Sequence, residues 1–467
     1  MHELIGLSGC RMVELLDKGE ITPEDALDAL EERIGLVEPK VHALPTLCFE
    51  RARDHARRLR DLPARDRGLL RGLPVPIKDL TNVAGVRTTH GSKLFEHHVP
   101  QSTGVVAENL ESNGAIIYAK SNTPEFGTGG HSFNDIYETT CNPRDLRKSA
   151  GGSSGGAAAA LASGMAWLAH GSDMAGSLRT PAGFCGVASL RPSPGLIATD
   201  PKPIPFMVLG QEGPMARSVE DLALLADAMS GASHRSALAK PVARTSFLEA
   251  ARDPSKPARI AVSADLGLTG ISDETAAAFE SFVAHLGEAG LSVTRAAPDL
   301  DGADEALAVQ RALIYASGHG ATLDKTRDIM KPEVVWNVEQ GLAVTADEIR
   351  SALSAHGRVF AAAVDFMQSY DVLVCPATAH QPFPIEERYV GHAAGVPIPQ
   401  YNDWLRIVHL ITATSLPVIT IPVGFASDGL PFAVQLVGKP HGERQLFSIS
   451  RFLEERLGWD SSPVDPA

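Results

Sequence analysis

The sequence predicts an α/β fold: one large α/β/α domain in which a twisted, mixed β-sheet is covered by helices on both faces. Three observations lead there. From Leu69 onward, short apolar runs alternate with amphipathic stretches, the texture of a parallel or mixed sheet covered by helices. Residues 3–62 carry helical signals only, so a helical layer precedes the first strand. The chain of 467 residues could make about three units of ~150. Its chemistry-bearing motifs, however, run from 78 to 177 and strands of the same kind return near the C-terminus, which favours one shared sheet.

The elements follow in order. Thr22-Pro23-Glu24-Asp25 offers an N-cap oxygen, a proline at the first helical position and acids against the helix dipole, and Pro39 is expected to close that helix. Residues 1–64 are read as a helical segment packed on a main domain of 65–460, with 461–467 a flexible tail. Strands are expected at 73–80, 115–120, 259–263, 291–295, 371–375, 418–423 and 432–437. Helices are expected at 104–113, 219–230, 273–288, 346–368 and 443–457. Ser218-x-x-Asp221 and Thr345-x-x-Glu348 have the pattern of capping boxes at two of those starts. The stretch 232–257 reads as a surface connection and 377–400 as a long loop, a place where enzymes often keep a lid.

Composition excludes several classes. Lys+Arg 42 against Asp+Glu 56 leaves a net charge of −14, and no basic run is long, which argues against nucleic acid or an anionic membrane as partner. The 5 cysteines are an odd number at long spacing, unlike a disulfide framework or paired zinc knuckles, so reduced thiols and a cytoplasmic setting are expected. Leu7-Ser8-Gly9-Cys10 mimics a lipoprotein box, but Glu3 replaces the basic region and no apolar segment precedes it. The longest apolar stretch, 157–169, is broken by Ser163 and Gly164 and falls short of the ~20 residues a membrane span needs.

Chemistry concentrates in 148–195, where glycines and small hydroxyl residues crowd at 151–156 and again at 171–177. Such turns let backbone N–H groups converge on a small anion. No Gly-Lys-Ser/Thr and no Gly-x-Gly-x-x-Gly follows, so phosphate loops do not fit. Gly151-Gly152-Ser153-Ser154-Gly155 matches the Gly-x-Ser-x-Gly elbow of α/β-hydrolases, but residues 142–148 before it read as loop instead of strand, so the match is taken as accidental. Among 16 histidines there is no His-Glu-x-x-His, and the adjacent His97 and His98 point apart, so no metal is expected. A serine nucleophile served by a neutral lysine remains. Lys78, in the apolar run Val75-Pro76-Ile77-Lys78, would be desolvated and its pKa lowered, although a lysine in such a run is more often one snorkelling from an edge strand.

Pro76-Ile77-Lys78-Asp79, Gly151-Gly152-Ser153-Ser154-Gly155-Gly156 and Gly171-Ser172-Asp173-Met174-Ala175-Gly176-Ser177-Leu178-Arg179-Thr180-Pro181-Ala182 together resemble, in order and spacing, the successive motifs of the amidase signature family. Weaker similarity extends to Ser121-Asn122-Thr123-Pro124-Glu125-Phe126, to Gly213-Pro214-Met215-Ala216-Arg217-Ser218 and to the segment from Leu416. The resemblance implies the amidase signature fold and a Ser–cis-Ser–Lys triad: Ser177 as nucleophile, Lys78 as neutral base, Ser153 as the bridge between them, with the Gly152–Ser153 peptide bond cis. It places the developing oxyanion against the backbone N–H groups of Met174, Ala175, Gly176 and Ser177. Ser154 is expected to orient the lysine, Asp173 and Arg179 to form a buried pair that fixes the loop, and Gly127 and Thr128 to line the acyl pocket. Two departures stand out: Ala175 in place of a usual glycine, and Ala188-Ser189-Leu190-Arg191-Pro192, read as part of a helix. Cys185 has no activating partner and reads as a buried small hydrophobe.

The implied activity is hydrolysis of a carboxamide, most simply a linear one, or of a related acyl–nitrogen bond through an acyl-serine, with no cofactor and a small molecule as partner; a homodimer is an open option. Two other readings compete. One is the glutaminase (A) subunit of a tRNA-dependent amidotransferase, whose usual Asp-Glu-Phe-x-Met-Gly-Ser-Ser stretch is here Thr123-Pro124-Glu125-Phe126-Gly127-Thr128-Gly129-Gly130. The other is a non-catalytic binding protein of the same fold, which would have lost a triad member. Parts of 121–135, 203–213 and 377–405 are expected around the substrate.

Overall fold

A computed structural model describes residues 2–241, 246–393, 396–398 and 400–467. The chain opens with α1 (Gly9–Lys18), α2 (Pro23–Val41), the short edge strand β1 (Thr46–Leu47) and α3 (Phe49–Arg60). The capping box of Thr22 and Asp25 forms, but Pro39 lies inside α2, which ends only where His42 turns left-handed. A proline so near the helix end displaces few intrahelical bonds. Cys10 of the lipoprotein-like box is buried in α1. There follow β2 (Pro74–Lys78), α4 (Val105–Ser112), β3 (Ile116–Ser121), the hairpin β4 (Cys141–Asn142) and β5 (Asp145–Ser149), α5 (Gly155–Ala162), β6 (Leu168–Asp173), α6 (Arg179–Cys185), β7 (Ala188–Arg191) and β8 (Gln211–Ala216).

The second half holds α7 (Val219–Met229), α8 (Phe247–Arg252), β9 (Ile260–Val262), α9 (Asp273–Glu288), β10 (Val293–Arg295), α10 (Ala303–His319), α11 (Leu323–Thr326), α12 (Pro332–Ala343) and α13 (Ala346–Ser369). Then come β11 (Val372–Pro376), the small pair β12 (His392–Ala393) and β13 (Val396–Pro397), α14 (Arg406–Ala413), β14 (Val418–Phe425), β15 (Pro431–Val437) and α15 (Glu443–Leu457). Thr345 and Glu348 form the expected capping box. Asp221 does not complete one with Ser218: its carboxylate accepts the Gly9 and Cys10 N–H groups at 2.8 Å each and so ties the start of α1 to α7.

Eight strands form the central mixed sheet in the order β10-β9-β11-β15-β14-β7-β8-β6, parallel between β10, β9 and β11 and antiparallel beyond. Helices flank it. Along β11, Val372 and Val374 join one hydrophobic cluster while Leu373 and Cys375 join another, and β9 splits the same way, so each face carries its own core. The strand bearing Lys78 belongs to a separate three-stranded sheet, β1-β3-β2, in which Lys78 pairs in register with Ser121.

Three expectations need correction. The segment 188–192 is strand β7 and its end, with Ala188, Ser189, Leu190 and Arg191 all buried; two-sided burial hides the alternation that marks a strand. Residues 142–148 are largely hairpin, not loop. The tail 461–467, expected to fray, is tied down: Val464 N–H donates to Ala162 O, Leu146 N–H to Ala467 O, and Arg33 pairs with Asp465 at 2.6 Å. The 377–400 stretch buries Phe383, whose carbonyl accepts the Ser149 N–H, while 394, 395 and 399 lie outside the described residues. The 232–257 connection includes α8, and its residues 242–245 also lie outside them. Among the described residues no helix is long and apolar enough to cross a membrane, and no group of three or more His, Cys, Asp or Glu gathers to hold a metal ion.

Candidate active site

All five residues of β2 are buried, and the strand delivers Lys78 to the interior with no exposed surface. Its Nζ lies 2.8 Å from Ser153 Oγ, 2.8 Å from Ser154 Oγ, 3.1 Å from Ser172 Oγ and 3.3 Å from Ser172 O. Donor counting orders these contacts. A neutral amine has two N–H donors and one lone pair. Ser172 O can only accept, and the Ser154 hydroxyl already donates to that same carbonyl at 3.2 Å, so both take protons from the amine. The lone pair is left for a hydroxyl proton from Ser153 or Ser172, and Ser153 is the nearer. Burial lowers the Lys78 pKa from 10.5 to about 7, against the pull of the Glu212 and Asp173 charges that raise it. Ser172 was not foreseen as a neighbour, because β6 gives no strand signal in the sequence that would place its side chain beside the amine.

Ser153 sits in the turn joining β5 to α5, and the Gly152–Ser153 bond is cis. A Cβ on Gly152 would lie 2.8 Å from His131 N and 2.9 Å from Gly130 C, so the turn closes on neighbouring backbone that only glycine admits. A strand does precede the Gly-x-Ser-x-Gly match after all, yet the partner of Ser153 is a lysine and not the histidine an α/β-hydrolase elbow requires. Ser154 N–H donates to Ser177 O at 3.1 Å, which joins this turn to the second glycine-rich loop.

That second loop leaves β6 at Asp173. The Asp173 carboxylate accepts from Gly176 N–H at 2.8 Å, Leu178 N–H at 3.1 Å, Arg179 Nε at 3.0 Å and Arg191 Nη1 at 3.1 Å. Burial alone would raise its pKa, but the Arg179 and Arg191 guanidiniums and the Gly176 amide hold it well below the usual carboxylate range. Arg179 also reaches Val408 O, Gln435 and Thr412. Asp173 and Arg179 are therefore the loop's structural anchor. Arg191, read only as a departure from the motif, completes it. Asp173→Asn leaves two buried guanidiniums under-neutralised and is expected to cost about 3–5 kcal/mol of stability, measurable as a lowered urea midpoint with unchanged m.

The Gly176 N–H is engaged by Asp173, which removes Gly176 from the four expected oxyanion donors and leaves Met174, Ala175 and Ser177. Ala175 lies outside the left-handed region, whereas Gly176 has φ +108°, so the alanine falls where a side chain is tolerated. The Ser177 hydroxyl forms no hydrogen bond among the described residues. It lines a cavity of about 140 Å³ with Ser153, Ser172, Met174, Gly127, Phe126, Leu80, Lys202, Glu212 and Tyr315. Gly127 thus borders the cavity, while Thr128 stands behind the wall, its Oγ1 2.7 Å from Tyr315 OH. Segments 121–135 and 203–213 contribute lining residues as expected, and the described residues of 377–405 contribute none. Tyr315, on a helix the sequence reading did not find, does contribute. A larger hollow of about 430 Å³ beside α13 is lined by Val208, Leu238, Leu353, Phe360 and others but holds none of the reactive groups. Cys185 is buried against Ala150 O, and burial pushes its thiol up to about 12.

The amidase family model matches residues 25–447, and the chain belongs to that family of hydrolases acting on carbon–nitrogen bonds. Among curated relatives, the acylamidase of Rhodococcus erythropolis is 32% identical, covering 98% of this chain and 97% of its own. The glutamyl-tRNA(Gln) amidotransferase A subunit of a Picosynechococcus species is 31% identical over 91% of this chain and 93% of its own. Of solved structures, a bacterial aryl acylamidase of the amidase signature family superposes with a TM-score of 0.89 at 22% identity, covering 97% of both chains. The 6-aminohexanoate cyclic dimer hydrolase in complex with substrate gives 0.87 at 25% identity, covering 97% of this chain and 98% of its own.

Proposed function

We propose that this chain hydrolyses the amide bond of a small molecule through an acyl-serine intermediate, with Ser177 as nucleophile, Ser153 as proton bridge and Lys78 as base. The observation that carries the reading is the buried Lys78 amine 2.8 Å from the hydroxyl of Ser153, which lines the same cavity as Ser177. Ser177 Oγ gives its proton to Ser153 as Ser153 gives its own to Lys78, and the Ser177 oxygen attacks the amide carbon. The tetrahedral oxyanion rests against the amides of Met174, Ala175 and Ser177, donors worth about 3 kcal/mol each in other enzymes. The proton returns through Ser153 to the leaving amine, and water cleaves the ester by the same path. Linear carboxamides and anilides are the favoured substrates, a choice supported by the acylamidase relative.

A panel of amides, anilides, hydrazides and esters, with glutamine included, tests this. Acid and amine are expected in equal amounts. The amine must be unprotonated to act, so kcat/KM is expected to fall as pH drops through about 7, the Lys78 value. Ester cleavage without any amide cleavage would contradict the reading. Because amidotransferase A subunits are among the relatives, glutamine hydrolysis that appears only with added partner subunits would favour that function instead.

A further inference from the structure

We infer that His170 and Glu212 are positioning residues for the proposed base: the imidazole anchors the Lys78 backbone, and the Glu212 carboxylate, held by that imidazole, sets the electrostatic field in which the amine titrates. The inference rests on the reading of Lys78 as base. In the antiparallel pairing of β6 and β8, His170 stands opposite Pro214 and Ser172 opposite Glu212. His170, Ser172 and Glu212 therefore share one face as close neighbours. That face meets the end of β2. Ser172 takes the amine end of Lys78, and His170 takes its backbone: the Lys78 N–H donates to His170 Nδ1 at 3.3 Å.

This contact assigns the imidazole's proton. Nδ1 accepts, so the ring hydrogen is on Nε2, which donates to Glu212 Oε2 at 3.0 Å. Glu212 borders the cavity, its side chain 17% exposed, so its charge faces both the imidazole and the space beside the amine. The other charges around Lys78 are largely committed elsewhere. Asp173 is neutralised by Arg179 and Arg191. Asp79 pairs with Lys120 at 3.1 Å, and His90 lies beside that pair. Lys202 donates to Gly210 O at 3.1 Å and, with Asp200, also bears electrostatically on Glu212. Glu212 is thus the carboxylate near the amine without a guanidinium or ammonium bonded to it, the one whose removal changes the field at Nζ most. Its charge favours protonated Lys78 and so opposes the lowering by burial.

The sign follows. Glu212→Gln keeps an acceptor for His170 Nε2 and removes the charge, so Lys78 loses its proton more easily and the acid limb of kcat/KM moves to lower pH, by about half a unit or more. Glu212→Asp keeps the charge and is expected to hold the limb at the wild-type position. His170→Leu removes the backbone anchor and is expected to lower kcat at every pH, with folding checked by circular dichroism. A Glu212→Gln limb that coincides with wild type, or moves upward, overturns the inference while leaving the lysine base standing. A wild type with no acid limb near 7 sinks the lysine reading itself, so the two failures are distinguishable.

Discussion

Ser177→Ala is expected to abolish amide turnover, with a loss on the order of 10⁶-fold, the scale seen when the nucleophile of a hydroxyl-based hydrolase is removed. The variant is informative because the structure leaves both serines at the cavity. Lys78 touches Ser153 directly, and Ser177 lines the same cavity as Ser153. If Ser153 were itself the nucleophile, removing the Ser177 hydroxyl would leave the Lys78–Ser153 contact intact and most of the activity with it. The Ser177 backbone carbonyl holds the Ser154 N–H and is untouched by the substitution, so the two glycine-rich turns stay joined and the loss is chemical instead of structural. Thermal unfolding within a few degrees of wild type is the control.

Lys78→Met is expected to lower amide hydrolysis by about 10²–10⁴-fold and to affect activated esters far less. A poor amine leaving group must be handed a proton as the tetrahedral intermediate collapses, and in the proposed mechanism Lys78 through Ser153 is the route. An activated ester needs no such delivery and feels only the loss of base. The thioether side chain fills the buried space left by the amine without a charge to bury, so the fold is expected to hold even though Ser153, Ser154 and Ser172 each lose a partner. The acid limb near pH 7 is also expected to vanish, because the group that titrates there is gone. Equal losses on amides and esters would argue against proton delivery by this residue.

The residues proposed to carry the chemistry were legible in the sequence because their motifs are local: Lys78, the 151–156 turn and the 171–177 loop are each contiguous. The strands of uniform apolar composition, such as β2, β3 and β11, were legible for the same reason. Three strands of the central sheet were not. β6 contains His170, Gly171 and Ser172 and β8 contains Gly213-Pro214, residues that read as turns in isolation and become strand only because the sheet closes around them. The third, β7, is buried on both sides and shows no alternation. Helices α10 and α12 begin without a side-chain cap, after a left-handed Gly302 and after Lys331 with a proline next, so the usual start signal is missing. Tyr315 on α10 was therefore invisible as a cavity residue. Arg191 and Glu212 needed tertiary contacts across 18 and 42 residues to reveal what they touch.

Whether a lysine amine draws a proton from Ser177 through Ser153 is decided by the pH dependence of labelling with a fluorophosphonate, the adduct located by mass spectrometry. A single adduct on Ser177 is expected, formed faster as pH rises through about 7, with that dependence lost in Lys78→Met. An adduct on Ser153, or a labelling rate indifferent to pH and to the lysine, would contradict it.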